Sequence, residues 1–429
     1  MKEVDILIVG AGAAGLMAAC TIAGSGRADG LSVRLLERQE KAGRKILASG
    51  NGRCNLGNSG PPEGHYRGGD PDFVLPVFQI VDAAKYRQIF LDLGVVLLED
   101  EAGRLYPRTL RSDTVHSALL NAVAAGNVAV DYGLEVYDIK CRPDSGKDAF
   151  FVSFRSSTDN LRSGSLITEG QIKAKAVIIA AGGKSQPQLS GHDSGYTLAA
   201  ALGHSRTQLF PALVPIELAD AGKWRRSSGQ RLRAAACYLS HGGKSSARVE
   251  GEFLFTDYGV SGIAAMELAE AVERDPASGK GDLVFDLIPE MSVEELSSFM
   301  MRQIELYPDY DWEELLNGLL AQDILLVLLR ELKAGDIKKT VSGCYSLARA
   351  MKEFSRPVKA TRGFKFAQLT AGGINTDEIY PQSLESKICP RLYLTGEMLD
   401  VNGDTGGYNL RWAFSSAYVA GKNVLAVLK

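Results

Sequence analysis

Three short stretches hold residue types whose spacing could do chemistry. The first is Gly10-x-Gly12-x-x-Gly15, set between an apolar run, Val4 to Val9, and an Ala-rich segment, Ala13 to Ala23. A second apolar run, 32–37, ends in Glu37, 22 residues beyond Gly15. Strand, glycine turn, helix, strand and acid together form a dinucleotide fingerprint. The glycines admit a diphosphate to the helix N-terminus, and the carboxylate accepts from ribose hydroxyls. An acid rather than an Arg at that point suits an adenosine without a 2′-phosphate. The bland alternative is an ordinary tight strand–helix turn, and Glu37 is what weighs against it.

The second stretch, "GRKILASGNGRCN" at 43–55, sets glycines among cations and a cysteine; the third, "GDTGGYN" at 403–409, precedes a C-terminal helix. Metal chemistry lacks ligands, since the five histidines show no HxxxH or HExxH spacing. His192-Asp193-Ser194 has the letters of a hydrolytic triad, but adjacent residues cannot take that geometry and no GxSxG elbow exists. The six cysteines are never closer than 34 residues, so no CxxC pair or disulfide framework is predicted and a reducing cytoplasm is the simplest home. Cys54 reads as a redox thiol or as a packing residue; without a partner cysteine, packing is the preferred reading. Arg53 could stabilise negative charge on a reduced cofactor or merely fix its loop. Tyr258 and Tyr408 are candidate proton donors, or tyrosines that only pack.

The elements that must position these groups follow from pattern. A buried parallel strand, a helix and a second strand open the chain. A helix near 82–93, a hairpin at 95–107, a helix capped by Ser112-Asp113 and strands over 128–180 come next. Apolar strands then end in Gly182-Gly183 and, near the C-terminus, in Thr395-Gly396-Glu397. A nucleotide domain assembled from both chain ends, with other domains inserted, suits a large cofactor such as FAD lying across them. A second GxGxxG is missing, so NAD(P)H would dock transiently. The final helix start would then face the electron-rich pyrimidine edge of a flavin. Between the ends, alternating strands such as "RLRAAACYLS" and "GEFLFTD" predict an antiparallel sheet or small barrel. The stretch 292–354 is helical, opened by the capping box "SVEE".

Composition excludes little more. With 48 Lys+Arg against 51 Asp+Glu, the net charge of −3 gives no support to nucleic-acid binding. The run "KWRRSSGQRLR" at 223–233 is a solvated face or a dock for an anionic substrate or nucleotide phosphate. Residues 6–24 are 19 uncharged residues, yet acidic flanks and an internal strand–helix split predict neither a membrane span nor a targeting segment.

The segments "DILIVGAGAAGLMAA", "ERQEKAGRKILASGNGRCNLGN", "LFTDYGVSG", "TAGGINTDEI" and "LYLTGEMLDVNGDTGGYNLRWAFSSAYVAGKNV" resemble, in order and over nearly the whole chain, the BaiN/RdsA-type family of NAD(P)/FAD-dependent oxidoreductases, the 3-dehydro-bile-acid reductase-like flavoproteins. The resemblance implies an α/β protein: a discontinuous Rossmann-like FAD-binding domain (1–190 plus 360–429), an inserted β-barrel-like domain (191–290 plus 340–359) and a small helical domain (291–339). Departures from the family pattern fall at Asn51, in place of a glycine, and at Asp257, in place of a histidine. The cofactor-binding set in the first half is Gly10, Gly12, Ala13, Ala14, Gly15, Glu37, Arg38 and Lys45, with Gly50, Asn51, Gly52, Arg53, Cys54 and Asn55 from the 50–55 loop. In the second half it is Ala181, Gly182, Gly396, Glu397, Asp404, Gly406, Gly407, Tyr408 and Asn409. Arg53 and Tyr408 are the catalytic candidates, and no metal is expected.

The expected activity is hydride transfer through flavin N5, from NAD(P)H to an activated C=C such as a 3-oxo-steroid or bile-acid-like enone. The alternatives are an oxidase of a small amine or alcohol and, from another class, an RNA-modifying flavoprotein. The expected partner is a small-molecule substrate, with neither nucleic acid nor membrane.

Overall fold

The computed structural model describes residues 1–24, 30–144, 147–157, 169–276 and 281–428. It divides into two compact units, Met1–Leu209 with Leu369–Lys429, and Phe210–Gln368. Residues 191–209 therefore group with the nucleotide-binding pattern, and 360–368 with the inserted unit.

The first unit is built on a seven-stranded sheet. Strand β1 (Lys2–Val9) leads through Gly10 to helix α1 (Ala13–Ala23), and the chain returns as β2 (Val33–Leu36). β1 pairs in parallel with β2 on one side and with β3 (Glu169–Ile179) on the other. The second half of β3 pairs in parallel with β4 (Leu392–Leu394), while its first half is antiparallel to Lys147–Ser156. Buried on both faces, β1 keeps the continuous apolar run read from its sequence.

Register matters more than strand count. Val9 lies opposite Leu36 and Ile179, and Ile179 opposite Leu394, so four parallel strands end level. The ladder continues one residue beyond them. Gly10 N donates to Leu36 O at 2.8 Å, Ala180 N to Val9 O at 2.9 Å and Thr395 N to Ile179 O at 3.1 Å. The loops starting at 10, 37, 180 and 395 thus share one rim, the edge where open α/β sheets take ligands.

Two helices close on that rim. Helix α2 (Ser112–Ala125) begins after Arg111, and no side chain caps it. The expected Ser112 cap is corrected: its hydroxyl donates to Leu47 O at 2.9 Å and ties the helix to the segment after Glu37. The long helix α3 (Tyr408–Val427) packs on α1, close enough that a Cβ on Gly421 would sit 3.0 Å from Thr21 Cβ.

The second unit is a closed six-stranded barrel with Arg231–Leu239, Val249–Phe255, Asp282–Asp286 and Phe354–Thr361 among its strands. Closure leaves no bare sheet edge. Phe253 and Phe285 fill the apolar cluster, and helices Val293–Leu306, Gln322–Glu331 and Val341–Lys352 add their buried faces to it. The Ser292–Glu295 capping box is formed on both sides.

The tightest contact at the rim is the α1–β1 corner. A Cβ on Gly15 would stand 1.8 Å from Gly10 O, so nothing larger than glycine fits. Gly15→Ala is expected to cost about 3 kcal/mol, since backbone must move to relieve the overlap. Urea denaturation checks this, and an unchanged midpoint would remove Gly15 from the corner.

Candidate active site

The rim gathers most of the residues picked out by type and spacing. Gly12 is the N-cap residue of α1 and has no side chain to cap the helix, so the first N–H groups of α1 remain available. A Cβ at Gly12 would meet nothing within 4 Å: the space before the helix is open, unlike that at Gly15. Ala13 and Ala14 form the first turn, and Gly396 fits against it, with 3.0 Å from its would-be Cβ to Ala14 Cβ.

Glu37 sits at the end of β2 and is buried, 9% exposed. Its Oε2 accepts from Ala11 N at 2.6 Å and its Oε1 from Gln39 N at 2.8 Å. Burial raises its carboxyl above the usual range, and these two N–H donors only partly offset that. Each oxygen keeps a second lone pair for another donor. Arg38 reaches Ser190 O at 3.4 Å.

Lys45 lies on the short helix Arg44–Ala48 and spans the rim. Its Nζ is 3.1 Å from Ser185 Oγ and 3.3 Å from Glu397 Oε2. Glu397 Oε1 also accepts from Ser185 Oγ at 2.9 Å and from Thr370 N at 2.9 Å. Ala181 and Gly182 follow β3 beside this network, Gly182 with a would-be Cβ 3.9 Å from Glu397 Oε2. Burial pushes the Glu397 carboxyl up, but the Lys45 charge and the Ser185 and Thr370 donors outweigh it and hold the group below its ordinary value.

The 50–55 loop meets the start of α3. Gly50, Asn51, Gly52 and Cys54 all have positive φ. Gly407, the N-cap residue of α3, has φ 105°, and a Cβ there would fall 2.2 Å from Gly57 O and 2.6 Å from Asn55 Oδ1. Asn55 Oδ1 is buried without a partner. Gly406 O accepts from Asn58 Nδ2 at 3.1 Å. Asn409 binds its own approach loop, through Gly403 N at 2.8 Å, Gly403 O at 2.7 Å and Asp404 O at 3.2 Å.

Three side chains are placed less simply. The Arg53 side chain is exposed. Cys54 is fully buried, and burial pushes its thiol up to about 11, so it carries no thiolate at neutral pH. Tyr408 is 5% exposed and stacks on His65, ring centroids 4.4 Å apart.

Two functional groups lay outside the sequence reading. Arg411 is 3% exposed; its Nη1 donates to Asn58 O at 2.8 Å and Gly60 O at 2.6 Å, fixing the 55–60 segment to α3. One cation inside the apolar "YNLRWAF" was the available signal. His65, in "EGHYRGG", pairs with Asp404 and carried no such signal.

In the basic run 223–233 most of the cations are held in surface ion pairs. Lys223, Arg226, Arg231 and Arg233 pair with Glu331, Asp323, Glu252 and Glu250 at 3.0, 2.6, 2.6 and 3.1 Å. Trp224 is buried against Phe255. His204, Glu378 and Ser386 do form a hydrogen-bonded chain, at 3.0 and 2.9 Å, but His204 and Ser386 are sealed in the core. Among the described residues no group of acids, His and Cys could hold a metal, and no helix is long and apolar enough to cross a membrane.

With this geometry in place, comparison with known proteins gives a direct result. Residues 4–423 match the HI0933-like protein Rossmann domain family. The chain belongs to that family. It is 33% identical to a 3-dehydro-bile acid delta(4,6)-reductase from Clostridium scindens, over 97% of each chain. It is 27% identical to a ribosomal RNA dihydrouridine synthase from Escherichia coli K12, over 99% of each chain. The fold matches a 3-ketosteroid-delta4-(5alpha)-dehydrogenase from Rhodococcus jostii RHA1, with TM-score 0.53 at 14% identity over 99% of this chain and 97% of that one. This is the family that the sequence motifs resemble, and the protein is an FAD-dependent oxidoreductase.

The Glu397 network gives a pH dependence. A carboxyl held below its unfolded value, near 4.5, stabilises the fold above that pH and loses the contribution as pH falls through the lower folded value. Lys45→Met should lower Tm near neutral pH and shrink its fall toward acid pH, and Glu397→Gln should flatten that fall. Thermal melts from roughly pH 3 to pH 7 check both; an unchanged profile in Lys45→Met would mean that the ion pair contributes nothing.

Proposed function

We propose that this protein reduces a carbon–carbon double bond conjugated to a carbonyl, with FAD bound at the rim and NAD(P)H as the electron donor. One observation carries the reading. The two activities named for full-length relatives, a bile acid delta(4,6)-reductase and a dihydrouridine synthase, are one reaction class. A dienone and the C5=C6 bond of uridine each accept hydride at one carbon and a proton at the other. The 33% relative favours a small 3-oxo enone of the bile-acid or steroid type.

The residues present fit FAD. Gly12 leaves open space before an uncapped helix start, which suits a diphosphate. Glu37 retains acceptor capacity for the adenine ribose. Asn55 Oδ1 is buried and unpartnered beside Gly407, where the second uncapped helix begins. The 50–55 loop and Gly406 to Asn409 would frame the isoalloxazine, with Lys45, Ala181, Gly182, Gly396 and Glu397 along its length. When bound, FAD supplies hydride transfer at N5. The N-terminus of α3 provides fixed N–H dipoles where negative charge gathers on reduction. Arg53, exposed at the loop, would bring a cation to the same region. Tyr408 contributes its position at the helix start, with its ring packed.

The test is an anaerobic titration of the yellow holoenzyme with NADH and NADPH, followed by reoxidation with a 3-oxo-Δ4 steroid, with rRNA fragments, or with oxygen. The expected result is bleaching by a pyridine nucleotide and recovery of colour with the enone. Recovery only with rRNA would make RNA the substrate. Bleaching by amines or alcohols, with recovery only in oxygen, would make the protein an oxidase. Gly52→Val, forced onto φ 81°, should purify colourless, whereas Cys54→Ser should stay yellow and turn over. A colourless wild type that takes up no FAD would sink the reading.

A further inference from the structure

We infer that His65, held by Asp404, delivers the proton in this reduction; the inference rests on the double-bond reading above. Tyr66–Gly68 pairs antiparallel with Val401–Gly403, Tyr66 opposite Gly403 and Arg67 opposite Asn402. Side chains alternate across such a ribbon, so His65, Arg67, Asn402 and Asp404 share one face. Tyr66 points to the other face, where its hydroxyl donates to Tyr408 O at 3.0 Å.

The distances agree with this register. Asp404 N donates to His65 O at 2.9 Å, His65 Nδ1 lies 2.9 Å from Asp404 Oδ2, and Arg67 Nη2 lies 2.5 Å from Asp404 Oδ1. An ionised carboxylate only accepts, so Nδ1 carries a proton and Nε2 is the nitrogen left for exchange. The imidazole stacks on the Tyr408 ring at 4.4 Å and 15°, against the first residue of α3. It is 39% exposed, so a substrate could reach it. On the same face Asn402 is 3% exposed, and both its amide atoms lack partners, hydrogen-bonding capacity that the protein itself does not use.

The charged and titratable groups around His65 are Asp404, Arg67, the Tyr408 hydroxyl and, beyond them, Arg411. Arg411 is committed to backbone carbonyls. Asp404 holds the His65 ring by Nδ1, and Arg67 binds the same carboxylate. Bound FAD would supply the hydride for the new C–H bond at the β-carbon as the π pair shifts toward the carbonyl. Imidazolium Nε2–H then gives its proton to the α-carbon, and water restores the proton to the ring.

Anaerobic stopped-flow separates the two half-reactions of the holoenzyme. His65→Gln is expected to leave flavin reduction by the pyridine nucleotide unchanged and to slow reoxidation by the double-bond acceptor about 100-fold. The fall of that rate at alkaline pH should vanish in the same variant. Asp404→Asn should slow the same half-reaction, and 15N NMR of the resting holoenzyme should show the His65 ring losing its preference for the Nδ1–H tautomer. Equal slowing of both half-reactions, an alkaline limb that survives His65→Gln, or a His65 tautomer unmoved by Asp404→Asn would overturn the assignment alone. A wild-type enzyme reoxidised by no double-bond acceptor would overturn the functional reading, and this assignment with it.

Discussion

The structure depends on a register. Val9, Leu36, Ile179 and Leu394 end four parallel strands at one level, and the ladder carries on through Gly10, Ala180 and Thr395. A slip of one residue in any pairing would turn that strand's side chains to the opposite face and move its loop off the rim. Because β3 and β4 come from the middle and the end of the chain, this ladder is what makes a site from segments as far apart as Gly10 and Asn409. The closed barrel of the second unit is then an insertion that the sheet can carry without its strands being interrupted.

The glycines on the rim divide by what their missing Cβ would meet. At Gly10, Gly15 and Gly407 it would strike backbone oxygen at 2.7, 1.8 and 2.2 Å, so these positions are fixed by the chain's own packing. At Gly12 it would meet nothing. The two classes look identical in a GxGxxG string. Only the second leaves room for something other than protein, and it lies at an uncapped helix N-terminus.

What was legible in the sequence was local and periodic. The first strand, α1, the capping box at Ser292 and the start of α3 at Tyr408 all stand where pattern placed them. The barrel was legible as alternation, seen in the half-buried pattern of Arg231–Leu239. Partnerships were not legible. Nothing near Lys45 announces Glu397, and nothing near His65 announces Asp404, because these pairs exist only once β4 joins β3. Ser112 carries the letter of a cap but spends its hydroxyl on Leu47 O, a contact set by tertiary packing. The ion pairs of the basic run at 223–233 were hidden for the same reason: its carboxylate partners lie 17 to 108 residues away.

Those pairings bear on substrate choice. Reducing a conjugated double bond needs the same groups whether the carbonyl belongs to a small enone or to a uridine, so the rim does not select between them. Selection must come from residues away from the reacting atoms. Binding a ribosomal RNA calls for a field of unpaired cations against phosphates. Here four of the five cations in the most basic run pair with carboxylates, and the whole chain carries −3. An RNA would have to displace four ion pairs to use those cations, whereas an uncharged enone ring would disturb none of them. These electrostatics support the small enone proposed above, and rRNA stands as the other outcome of the reoxidation test.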